Sequence, residues 1–135
     1  MLRDEKVASL SYNFMKRNLD LIRTILWEIE KKPDGSTYFK VSPPEGVEMS
    51  AFMAHLELLI DAGFIKGKVG EYALRSYEIN RLTWQGHEFL DATRDDTLWS
   101  KAKKKVAGEA MSWTTSLLLE YLKQEGRERL GLPIP

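Results

Sequence analysis

The chain has 135 residues, enough for one domain, and 43% of them are hydrophobic, enough to bury a core. Lys+Arg and Asp+Glu are both 20, so a general electrostatic grip on nucleic acid is not signalled, and only local patches could supply one. There is no cysteine, which removes disulfides, thiolate nucleophiles and thiolate zinc sites. No stretch reaches the roughly 18 apolar residues of a membrane span, and the start has acidic residues and no apolar signal region, so a soluble cytoplasmic protein is expected.

In chain order, Val7, Leu10 and Phe14 keep a helical spacing. Residues 3–14 are therefore either an extra helix or an upstream extension of a protein beginning at Met15. The domain is accordingly drawn from residue 15, with 1–14 as an N-terminal extension. Leu19, Ile22, Ile25, Leu26 and Ile29 form one apolar stripe of a helix that Pro33-Asp34-Gly35 stops. Arg23, Glu28 and Glu30 are expected to keep its outer face wet. Thr37 to Val41 reads as a short strand, followed by the breaker Ser42-Pro43-Pro44-Glu45-Gly46.

Met49, Phe52, Met53, Leu56, Leu59 and Ile60 share a face of a second helix that Gly63 ends. Residues 64–69 and 76–82 then read as the two strands of an antiparallel hairpin. Thr83 is a candidate N-cap for a third helix from Trp84 to about Thr93, with a hinge at Asp95-Asp96. The last element is long. Trp99, Ala102, Val106, Ala110, Trp113, Leu117 and Tyr121 recur at threes and fours, Leu118 and Leu122 broaden the stripe, a break is allowed near Gly108, and Gly131-Leu132-Pro133 is a stop.

A helix ending in Leu56, Leu59, Gly63, Phe64 and Ile65, then a hairpin, then Leu82-Thr83-x-x-Gly86, is how a winged-helix domain looks in sequence. The expectation is an α+β, mostly helical fold: a winged-helix-like domain over residues 15–97, with an amphipathic C-terminal helix over 98–135. That helix would pack either on the domain or on a dimer partner.

Met15 to Arg23, Ala54 to Gly63, Leu82-Thr83-Trp84-Gln85-Gly86-His87-Glu88-Phe89-Leu90-Asp91, Arg94-Asp95-Asp96 and Trp99 carry a resemblance. They resemble a family of small bacterial and prophage proteins catalogued as a domain of unknown function, family 2513. The similarity covers residues 15–132 and implies a bacterial or phage source. It implies no activity, so no catalytic residue transfers.

DNA binding by the second helix meets a chemical objection. Its outward positions are Ser50, Ala51, Ala54, Glu57 and Asp61, and no Lys, Arg, Asn or Gln lies between Met49 and Gly63. Those absent types are the usual base readers, and carboxylates repel phosphates. Basic residues occur elsewhere: Lys66, Lys68 and Arg75 on the hairpin, and Lys101, Lys103, Lys104 and Lys105 on the last element. They are candidates for contact with phosphate or with an acidic partner, set against the commoner solvated face.

His87 and Asp91 share a helix face, and with His55 they could form a two-histidine, one-carboxylate metal site, although structural histidines are far commoner. His87 is more simply read as orienting hydrogen bonds near Arg94 or Asp95. No nucleophile motif or phosphate loop is present, and neither a cofactor nor a catalytic residue is expected. Trp84, Trp99, Trp113 and Phe89 read mainly as core aromatics. Trp99, Val106, Trp113, Leu117 and Tyr121 are the candidate interface with a protein partner or a second copy. The leading reading is a non-enzymatic interaction module that binds protein or itself. A DNA-binding regulator gripping phosphates through wing and basic helix is the alternative, and a metal-dependent hydrolase stands last.

Overall fold

Asn18 begins the first helix by capping it, its side-chain oxygen accepting the Leu21 N–H at 3.1 Å. The computed structural model describes residues 16–32, 41–70, 77–108 and 114–132. Among these, five helices and one two-stranded antiparallel sheet follow in the order α1 (Leu19–Glu30), α2 (Met49–Asp61), β1 (Ile65–Val69), β2 (Tyr77–Leu82), α3 (Trp84–Ala92), α4 (Asp96–Gly108) and α5 (Thr115–Leu130). The fold is α+β and mostly helical. The expected helix or extension at 3–14 lies outside the described residues, as does the expected strand up to its last residue. That residue, Val41, is buried, and its carbonyl accepts the Tyr77 hydroxyl.

The α1 stripe is buried as the spacing predicts, with Leu21 added and Leu19 only half-buried. Phe52, Met53, Leu56 and Leu59 bury the facing side of α2. Gly63 stops α2 in the left-handed region at φ 79°, where a side chain would be strained. The Gly63 N–H then bonds the Ile60 carbonyl and the Phe64 N–H the Leu59 carbonyl, the paired bonds of a Schellman stop.

The hairpin pairs Ile65 with Leu82 and Val69 with Tyr77, with an irregularity between Lys66 and Gly67 that leaves Asn80 as the extra residue. That bulge resets the alternation, so Tyr77, Ile79 and Leu82 all face the core although Ile79 and Leu82 are three apart. Thr83 caps α3 by accepting the Gly86 N–H at 3.1 Å, as its position predicts. Its own N–H donates to the Phe64 carbonyl at 3.0 Å and its hydroxyl to that of Gly63. The start of α3 is thereby fixed to the turn that ends α2.

The break allowed near Gly108 divides the C-terminal element into two helices, α4 ending at Gly108 and α5 starting on Thr114, whose side chain accepts the Leu117 N–H at 3.2 Å. The break resets the helical rotation. In α5 the buried pair is Leu118 and Leu122, while Leu117 is 42% exposed and Tyr121 half-buried. Leu98, Trp99 and Ala102 of α4 join the same core as Leu118, Leu122, Phe89 and the α1 stripe. α5 packs on α3 and α4.

Candidate interaction surfaces

The second face of α1 is charged and aromatic: Asp20, Arg23, Trp27 and Glu30, at spacings of three, four and three. It meets the junction between α3 and α4. Arg23 was expected to be solvated, yet its side chain is only 15% exposed. Its Nε donates to the Thr93 carbonyl at 2.8 Å and its Nη2 to the Arg94 carbonyl at 3.0 Å and to Asp96 Oδ1 at 2.7 Å. The guanidinium lies 5.0 Å from the Trp27 ring centre and 5.7 Å from that of Trp99. Arg94 continues the seam by bonding Glu30 and, at 2.8 Å, Asp91. These hydrogen bonds hold its guanidinium above its ordinary value, with the Glu30 bond contributing most. Asp95 caps α4 through the Leu98 N–H at 2.9 Å and pairs with Arg129 of α5 at 3.0 Å.

Trp99, a candidate interface residue, belongs to the core at 2% exposure. Its indole N–H donates to Asp20 at 2.8 Å and its ring meets Phe89 edge-on. Burial pushes the Asp20 carboxyl upward, but bonds from Lys103 and Trp99 and the charges of Lys103 and Arg23 together hold it below its ordinary value. A depressed carboxylate contributes stability that is present above its unfolded value and lost as pH falls through the folded one. Thermal unfolding should therefore show stability declining below about pH 4, and Asp20→Asn should flatten that decline. Asp20 is more than half exposed, so the effect should stay under about 1 kcal/mol.

The lysines do not converge. Lys101 pairs with Glu125 on α5 at 2.9 Å, whereas Lys103 pairs with Asp20 on α1 at 2.9 Å. Lys68 pairs with Glu78 across the hairpin at 3.3 Å. Lys66, Lys104 and Lys105 are exposed. Arg75 and Trp113 lie outside the described residues, as does the side chain of Val106.

His55 is buried with both nitrogens engaged: Nε2 accepts the Asn18 N–H at 2.9 Å, and Nδ1–H donates to the Ala51 carbonyl at 2.7 Å. This fixes the neutral tautomer and ties the α1 cap to α2. His87 is exposed, 3.9 Å from Glu30, and Asp91 is paired with Arg94. The structure does not bring His55, His87 and Asp91 together as a metal site: among the described residues, no group of three His, Asp or Glu side chains could hold a metal ion. A groove of about 550 Å³ opens between the first turns of α1 and α2, lined by Lys16, Asn18, Val47, Glu48, Ser50 and His55 among others.

The outward side of α2 has Ser50, Glu57 and Asp61 exposed, with Ala51 and Ala54 half-buried. Residues 41–48 before it are irregular, with one turn at Glu45 and Gly46, so no helix directly precedes α2 among the described residues. Trp84, expected in the core, is 75% exposed, and its indole N–H donates to Glu88. The signal for this was available. Gly86, Phe89 and Leu90 mark the buried side of α3, and Trp84 sits about 200° around the helix from Gly86.

The model of the family described as Hypothetical protein (DUF2513) matches residues 16–112. The chain belongs to that family. The DUF2513 match runs from just before α1 to beyond α4 and ends ahead of α5. A relative from Haemophilus influenzae, described as an uncharacterized protein, is 33% identical over 114 residues, 82% of this chain and 91% of the relative. No solved structure matches. The family description states no activity, so the reading of the surfaces rests on their geometry.

Among the described residues, no helix is long and apolar enough to cross a membrane. The run from Leu82 to Asp96, which lies within the family match, is largely explained by folding. Thr83 caps, Gly86 makes room, Phe89 and Leu90 fill the core, Asp91 and Arg94 pair, and Asp95 and Asp96 fix the α3–α4 junction. Trp84 is left over.

Proposed function

We propose that this chain is a non-enzymatic winged-helix-type module that acts in the cytoplasm by binding protein. The observation that carries this is the character of α2: its exposed charges are Glu57 and Asp61, and no Lys or Arg lies along it. Such a helix is unsuited to a major groove and suited to a polypeptide surface. The ion pairs of Lys68, Lys101 and Lys103 support the same reading, because each such cation would have to leave an internal partner to contact phosphate.

The test is fluorescence anisotropy with a labelled DNA duplex at low salt. Affinity no tighter than about 10⁻⁴ M is expected. A micromolar complex whose affinity falls steeply with salt, and which Lys103→Glu with Lys104→Glu abolishes, would establish the DNA-binding alternative instead. Self-association through the exposed side of α5, with Leu117 and Tyr121, belongs to the same proposal. It requires a concentration-dependent dimer in sedimentation that Leu117→Glu returns to monomer.

A further inference from the structure

Two surface features oppose local stability. α2 carries Asp61 at its last position, and no basic residue in its last turn. A carboxylate there faces the negative end of the helix dipole, where a cation would be favourable. Trp84 leaves three-quarters of its surface in water at the first position of α3. The Thr83 hydroxyl bond to the Gly63 carbonyl places these two features at the same end of the molecule.

The charged residues of these two helices are all carboxylates. Neither α2 nor α3 contains a Lys or Arg, and Glu57, Asp61 and Glu88 are exposed. The hairpin cations nearest in sequence, Lys66 and Arg81, are cross-strand partners beside the inward pair Ile65 and Leu82, and strand alternation turns them away from the core. Arg81 is engaged locally, its guanidinium donating to the Leu82 carbonyl at 3.0 Å next to the start of α3. An indole whose N–H is held by a carboxylate presents an electron-rich ring face, the preferred seat of a guanidinium or ammonium. The neighbouring carboxylates add charge-assisted hydrogen bonds, which arginine can make in pairs.

We propose that Trp84, its indole held by Glu88 and at the same end of the molecule as Asp61, is the docking platform for an arginine- or lysine-bearing segment of a protein partner. The inference rests on the protein-binding reading above and names the chemistry of the partner. Charge complementarity selects it, since the phosphates of a nucleic acid would be repelled by the same carboxylates.

The probe is a hexaarginine peptide titrated into the full chain at low ionic strength, with hexaglutamate as control. Calorimetry and the indole N–H resonances report binding. Saturable binding is expected for hexaarginine alone, with the Trp84 resonance moving. Trp84→Ala should weaken it roughly tenfold without changing the melting temperature, as truncating an aromatic anchor does. Asp61→Asn combined with Glu88→Gln should also weaken it. Equal affinity in wild type and Trp84→Ala overturns the proposal, and so does a DNA duplex that moves the Trp84 resonance. A photo-crosslinking residue placed in the native cell at position 84 or at position 117 separates the two readings. Protein adducts at 117 with none at 84 overturn the Trp84 platform and leave protein binding standing. No hexaarginine binding and no adducts at either position overturn both.

Discussion

Arg23→Met should lower the free energy of unfolding by about 2–4 kcal/mol, an effect large for a side chain that helical patterning assigns to solvent. The contributions are unequal. The ion pair with Asp96 contributes little, because the Asp96 side chain is 87% exposed and water replaces the lost partner. The carbonyls of Thr93 and Arg94 matter more. They lie at the C-terminal end of α3, where helix carbonyls lack partners, and Arg23 reaches the Thr93 carbonyl beside a fully buried side chain. The positive charge also complements the negative end of the α3 dipole. The guanidinium further lies near the rings of Trp27 and Trp99, so methionine would lose two cation–π contacts while keeping some of the packing. Arg23→Lys should recover less than half of the loss, since one ammonium on a flexible stem lacks the planar fork that serves both carbonyls. Urea unfolding measures this directly. A midpoint shift with an unchanged m-value is expected, and a loss below about 1 kcal/mol would mean the seam is decoration on a fold that closes without it.

The elements themselves were legible wherever a local rule decides them. The α1 stripe is a periodicity, Thr83 is a cap, and Gly63 is a left-handed stop; each is read within a few residues. What escaped depends on partners distant in sequence. Arg23 meets Thr93 from 70 residues away and Lys103 meets Asp20 from 83, and no spacing rule announces either. The α5 stripe was legible as a broad one with Leu117, Leu118, Tyr121 and Leu122; which of them turn inward was not, because the start on Thr114 sets the rotation that buries Leu118 and Leu122. Trp84 was misplaced because its residue type was weighed above its position on the α3 wheel. For the candidate surfaces the sequence revealed the acidic character of α2. It could not reveal that Lys101 meets Glu125 and Lys103 meets Asp20.

The second large effect is expected at Gly86, where alanine should cost about 2–4 kcal/mol although it is the better helix former. Glycine inside an exposed helix is worse than alanine by about 1 kcal/mol, so a neutral site would gain from the change. Gly86 is buried, and a Cβ there would collide with the Phe64 carbonyl oxygen, approach its carbon to 3.1 Å and the Leu82 Cβ to 3.4 Å. The obstruction is backbone and cannot rotate away. The Phe64 carbonyl accepts the Thr83 N–H, so pushing it aside loosens the bond that joins the hairpin base to α3. Its residue also carries a ring packed 5.3 Å from that of Phe89, so the strain reaches the core. Nor can α3 retreat, because Phe89 and Leu90 are already buried on the same side. Gly126 in α5 supplies the internal contrast, since nothing lies within 4 Å of the Cβ it would gain. Gly126→Ala should raise stability by up to about 1 kcal/mol, through helix propensity and a less flexible unfolded chain. The same chemical change should thus have opposite signs in two helices of one protein, read as opposite shifts of the denaturation midpoint. A stabilising Gly86→Ala would show that α3 slides freely over the hairpin, and the Thr83 bonds that place Trp84 beside the end of α2 would then lose their positioning role.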